Sequence, residues 1–233
     1  MTAESSIIDF GTKEVAGFVV NTQTIYMSWL TMALVAILLF AAGRNPKLVP
    51  GKLQLCVEMV FDFVLGLVKN NLTETGRELV GSFFVTLFLY IFIGNELGLV
   101  PQLFTPLHVH ITSPTNDINT TLGLGFMVII TIQVLGAARH GLSYFKHFFQ
   151  PMPIMFPINL LDELLRPFTM AFRLFGNIVA GEILLIVLYR LAMWLVPEIW
   201  VGFSLAIGLI QAIIFTCLSI CYMRGVFAAH DSH

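Results

Sequence analysis

Thr169 to Arg190 reads TMAFRLFGNIVAGEILLIVLYR, and two of its residues are at odds with the rest. The run is apolar and about as long as the roughly 20 residues that cross a bilayer. Yet Arg173 and Glu182 stand well inside it. An ionisable side chain in hydrocarbon costs about 2.5–3.5 kcal/mol on insertion scales, so it marks a functional site by default. Arg173 keeps its charge at any relevant pH, which suits a fixed barrier or counter-ion. Glu182 can take up and release a proton, which suits a relay. Nine helical residues turn through about 900°, so the two face opposite sides and stand about 13 Å apart along the axis. They are poorly placed to pair with each other. Asn177, four residues after Arg173, lies closer to the arginine's own face.

Working outward, the whole chain is apolar. Of its 233 residues 57% are hydrophobic and only 11% charged, where a soluble domain carries about 25% charged. With a mean hydropathy of +0.87, this is the composition of an integral membrane protein. A net charge of −2 gives no basis for a nucleic-acid partner. Cys56, Cys217 and Cys221 lack metal or redox spacing and are expected as buried small apolar residues. The N-terminal stretch has no basic segment leading into an apolar one, so a cleaved signal peptide is not expected.

Residues 25–42 form a first span, after an outer N-terminal segment, 1–24. Residues 52–72 interleave Lys52, Glu58, Asp62 and Lys69 with Leu, Val and Phe, the pattern of an amphipathic helix lying in the interface. A second span covers 79–100 and is expected to end at Pro101; a third covers 118–138. Residues 157–192 are too long for a simple crossing. About 35 residues make roughly 50 Å of helix, against a hydrocarbon core of about 30 Å. The helix must either tilt by about 50–55° or break at Pro167. A last long helix covers 198–227. The expected fold is all-α and integral to the membrane, a single domain with five crossings and one in-plane amphipathic helix.

Basic residues set the orientation. Arg44, Lys47, Lys52, Lys69 and Arg77 lie between the first two spans, Arg139 and Lys146 follow the third, and Arg224 ends the last. From Pro101 to Asp117 there is no Lys or Arg. The positive-inside rule then places the N-terminus outside and the C-terminus in the cytoplasm.

Other polar residues approach the central arginine. Asp162, Glu163 and Arg166 sit toward the cytoplasmic end of the same helix, Asp162 and Arg166 at i, i+4 spacing. Gln211 lies mid-span in the last helix, and Asp117 opens the third span. Each has a plainer reading. Carboxylates complement a helix start, Gln211 suits an interhelical hydrogen bond, and Asp117 suits an N-cap. No cofactor or metal site is expected; His108 and His110 resemble a metal pair only superficially. Neither HExxH nor GxSxG occurs, so no enzymatic centre is expected.

RLFGNIVAGE, from Arg173 to Glu182, closely resembles the signature of subunit a of F-type ATP synthases, also called subunit 6. The resemblance covers nearly the whole chain. FIGNELGLVP is similar to the end of that family's second span, SPTNDINTTL to the start of its third, PINLLDELLRPFTMAFRLFGN to the approach to the signature, and IQAIIFTCLSICYM to its last helix. The resemblance implies a non-catalytic stator subunit of the membrane sector, beside a rotating ring of small proteolipid c-type subunits. It also implies peripheral-stalk b-type subunits, the rest of the synthase as partners, and a bacterial inner membrane. Arg173 is then the essential stator arginine. Glu182, Asn177, Gln211, Glu163, Asp162 and Asp117 match the proton path, with Glu182 on the outer side. The two final helices are implied to form a steeply tilted hairpin. Near Ser204, where the family commonly has His or Glu, no ionisable residue stands. A self-contained ion-coupled transporter or channel would explain intramembrane charges equally, but such folds commonly carry internal repeats and none is found here. Proton coupling is expected over sodium.

Overall fold

The computed structural model describes residues 12–15, 18–44, 51–104, 113–141, 154, 156–191 and 195–228. The loop holding His108 to His110, together with Lys47 and Lys146, lies outside them. Among the described residues six α-helices follow one another: α1 (Thr22–Gly43), α2 (Lys52–Asn71), α3 (Glu74–Phe104), α4 (Ile118–His140), α5 (Phe156–Leu191) and α6 (Leu195–Ala228). A 3-10 turn, Pro114–Asn116, leads into α4. The protein is an all-α integral membrane protein, and five of these helices (all but α2) are long and apolar enough to cross a bilayer.

Three features depart from the sequence expectations. The segment before α1 holds an antiparallel hairpin, β1 (Thr12–Val15) with β2 (Phe18–Asn21), in which Thr12 faces Asn21. The apolar span does stop short of Pro101, at Leu99, but the helix that carries it does not, since α3 runs on to Phe104. One proline removes one backbone donor, and three further helical residues follow it here. The cysteines are not uniformly buried: Cys56 and Cys221 are exposed and Cys217 is half-buried. They lie on helix faces that this chain leaves uncovered.

The core gathers around α3. Val80, Phe84, Val85, Leu87, Phe88, Leu89 and Ile91 of that helix are buried, against Val128 and Ile132 of α4 and Phe215, Ile220 and Met223 of α6. α3 has 56% of its apolar window covered by the rest of the chain, α1 only 11% and α5 only 17%. An apolar helix covered so little must find lipid or another protein. α2 is amphipathic: Val57, Val64 and Val68 are buried, while Glu58, Asp62 and Lys69 are exposed.

α5 answers the length question in favour of one unbroken helix. It has 36 residues with Pro167 inside it, which is about 54 Å. Such a helix fits a 30 Å core only by tilting. Pro167 is buried beneath α4. A Cβ added to Gly125 of α4 would stand 2.6 Å from the Pro167 carbonyl oxygen, so only glycine allows this approach. Beside it the rings of Phe126 and Phe168 meet edge to face at 5.4 Å. α5 then packs back on α6, where Trp200 Nε1 donates to the Gly181 carbonyl at 3.2 Å.

Candidate functional site

The polar residues of α5 fall into two clusters, with Arg173 between them. Toward the C-terminal half, Glu182 turns inward and accepts a hydrogen bond from Asn116 Nδ2 at 2.5 Å. Asn116 is held there by local chemistry. Ser113 begins the 3-10 turn, and its hydroxyl donates to the Gly94 carbonyl at 2.7 Å. Thr115 donates to Asn95 Oδ1 at 2.8 Å, and Asn95 donates in turn to the Gly208 carbonyl at 3.3 Å. The turn is thereby tied to α3, and through Asn95 to α6. A cavity of about 170 Å³ opens beside it, lined among others by Asn95, Ser113, Asn177, Glu182, Trp200 and Ser204. Asn177 and Glu182 therefore border one cavity, whose remaining lining is mainly apolar. Asp117 does not enter it; its side chain caps α4 by accepting from the Asn119 amide at 2.8 Å.

The second cluster lies toward the N-terminal end of α5. Glu163 accepts from Gln133 Nε2 of α4 at 2.7 Å and pairs with Arg166 at 2.6 Å. The i, i+4 pair of Asp162 and Arg166 forms at 3.3 Å. The Arg166 guanidinium also lies 5.0 Å from the centre of the Tyr222 ring on α6. Glu163 is the inward member, with 12% of its side chain exposed against 70% for Asp162.

Arg173 belongs to neither cluster. It is exposed on the outer face of α5 in a row with Thr169, Gly176 and Ala180, all exposed and all small. Among the described residues it makes no hydrogen bond or ion pair. It stands about 15 Å along the helix from Glu163 and about 13 Å from Glu182. Gln211, on α6, is 5% exposed, and its amide nitrogen has no partner among the described residues. No group of three or more His, Cys, Asp and Glu able to hold a metal occurs among the described residues.

Asn116, Gln133 and Tyr222 carry contacts that sequence reasoning did not assign to the site. Only Asn116 left a signal, as a polar residue at the mouth of the third span. A family model described as ATP synthase A chain matches residues 25–224. The chain belongs to that family. It is 37% identical over 228 residues to the ATP synthase subunit a of Desulforamulus reducens, an alignment covering 94% of this chain and 84% of the relative. Membership makes it an integral membrane component of an ATP synthase, with a part in proton transport rather than in the catalytic chemistry.

Proposed function

We propose that this chain is the stator subunit of the membrane sector of a rotary F-type ATP synthase, supplying two offset half-channels to a ring of proteolipid carboxylates. The observation that carries the reading is the placement of Arg173. A permanent cation stands exposed on the outer face of α5, between Glu163 and Glu182, which each turn toward the interior. The row of small side chains around it leaves room for another helix to come close.

The physics of the cycle follows. A proton arriving through the outer cluster, by way of Asn177 and Glu182, neutralises a ring carboxylate. Neutral, that group faces lipid at modest cost. After almost a full turn it meets the inner path, at Glu163 and Asp162, and releases its proton. The anion so formed is stabilised by Arg173, and the fixed positive charge repels a proton that would cross directly from one path to the other. Gln211, buried on α6, and Asp117, at the cap of α4, border these paths. The N-terminus is outside and the C-terminus cytoplasmic, across a bacterial inner membrane, a reading supported by the absence of Lys and Arg from Pro101 to Asp117 under the positive-inside rule. Peripheral-stalk b-type subunits hold the chain against the ring.

Replacing Arg173 tests this. In inverted membrane vesicles, Arg173→Ala is expected to abolish proton-driven ATP synthesis while the complex still assembles. Normal synthesis by that variant would overturn the reading.

A further inference from the structure

Glu96 stands on α3 beside the outer cluster, and its surroundings give it a role. Its carboxylate oxygen Oε1 lies 2.8 Å from where a Cβ on Gly208 would be. The carboxylate thus occupies the space that the missing side chain of α6 leaves. Its neighbour Asn95 holds the same spot, donating to the Gly208 carbonyl. Gly208 also lines the cavity that contains Glu182, Asn177 and Ser204. One glycine therefore has Glu96 against it and the cavity of Glu182 beside it.

A second observation is independent of that packing. Ser204, Gly208 and Gln211 are spaced i, i+4, i+7 and form one buried face of α6. Along it, Ser204 Oγ, Glu96 Oε1 and Gln211 Nε2 are all buried and have no hydrogen-bond partner among the described residues. Buried polar atoms are almost always satisfied by protein or by ordered water. A row of three mixed donors and acceptors, beside a mainly apolar cavity into which Asn95, Asn177 and Glu182 bring polar groups, is what a chain of water molecules requires.

We propose that Glu96 is a second proton-exchanging group of the outer path, linked by water along Ser204, Gly208 and Gln211 to Glu182. This rests on the reading given under Proposed function. In the transfer, the O–H bond of the Glu96 carboxylic acid breaks as a bridging water takes the proton. That water's own proton forms an O–H bond on the Glu182 carboxylate. Glu96 is left anionic, Glu182 neutral and the water unchanged, until Glu96 is reprotonated from outside. Asn95 and Thr115 position the α3 end of the path but hold no exchangeable acid. Glu182 is the acidic partner that shares the cavity beside Gly208.

The test is passive proton conduction through the membrane sector of the whole complex, in vesicles stripped of the catalytic head, with an imposed potassium diffusion potential. Glu96→Gln keeps the shape and hydrogen-bonding capacity but cannot release a proton, so a merely structural role predicts wild-type conduction. The expected result is slowing by about tenfold or more, with Glu96→Asp conducting well above Glu96→Gln at equal subunit content. Wild-type conduction by Glu96→Gln, while Glu182→Gln is blocked, would overturn the inference alone. Normal conduction by both would overturn the reading on which it rests. Should Glu96→Gln fail to assemble, Gly208→Ala decides: its added methyl displaces the flexible carboxylate, and conduction should fall. Unchanged conduction there overturns the inference.

Discussion

Asn116 donates to Glu182 across 66 positions of sequence, joining the turn before α4 to the interior of α5. The bond fixes where one carboxylate oxygen points. A hydrogen bond to a charged group is worth about 1.5–3 kcal/mol when removed. If Glu182 carries the proton and Asn116 only orients it, the two variants should differ in degree. Glu182→Gln is expected to reduce passive proton conduction most severely, and Asn116→Ala to reduce it partially. Equal conduction by Asn116→Ala and wild type would show that the orientation does not matter.

On the inner side, burial decides which ion pair counts. Asp162 is largely solvated or lipid-facing, and an exposed pair contributes about 0–1 kcal/mol. Glu163 is nearly covered, accepts from Gln133 and pairs with Arg166, which also lies against the Tyr222 ring. Arg166→Ala should therefore lower the temperature at which the detergent-extracted complex loses this subunit, whereas Asp162→Ala should leave it within error. The reverse order would contradict the geometry.

Glu163 also separates structure from transport. Glu163→Gln breaks the ion pair with Arg166 yet can still accept from Gln133. A slowed uptake of protons from the cytoplasmic side, seen as reduced ATP-driven acidification of inverted vesicles, is expected with normal assembly. Unaltered pumping would remove Glu163 from the inner path and leave it a packing residue.

The crossing of α4 over α5 yields a stability prediction. Any side chain at Gly125 meets backbone, the Pro167 carbonyl, rather than a yielding side-chain tip. Overpacking of that kind costs about 1–3 kcal/mol. Gly125→Leu should reduce the amount of intact complex recovered and lower its melting temperature, and Gly125→Ala should do so less. A leucine variant as stable as wild type would mean that the two helices part easily.

Much of the architecture was legible because membrane helices announce themselves by length and apolarity. The five spans needed only windows of about 20 residues. The polar interleaving of Glu58, Asp62 and Lys69 distinguished α2 from them. Helix periodicity also anticipated that Arg173 and Glu182 would part company, one exposed and one turned inward. What was not legible depends on crossings between distant segments. The spacing of residues within α5 could not reveal that Gln133, 30 positions upstream, would meet Glu163. Nor could it reveal that Asn95 would bond to α6, 113 positions away. At Pro101 the apolar span had ended as the sequence suggested, but the helix continues, because the rest of it outweighs one absent donor. For the cysteines, average burial tendencies said nothing about which face each helix would cover.

Pro167 gives α5 a mechanical character. With no amide hydrogen there, the carbonyl one turn earlier lacks its usual helical partner, and the rod is weakest at that point. The weak point is also where α4 grips it, through Gly125 and the Phe126–Phe168 contact. Arg173 lies six residues beyond, about 9 Å along the axis. Under the proposed function, a rotor dragging past the arginine pushes sideways on a short lever whose fulcrum is clamped. The yielding joint and the brace coincide, so the load of each step passes into α4 instead of bending the helix that bears the charge.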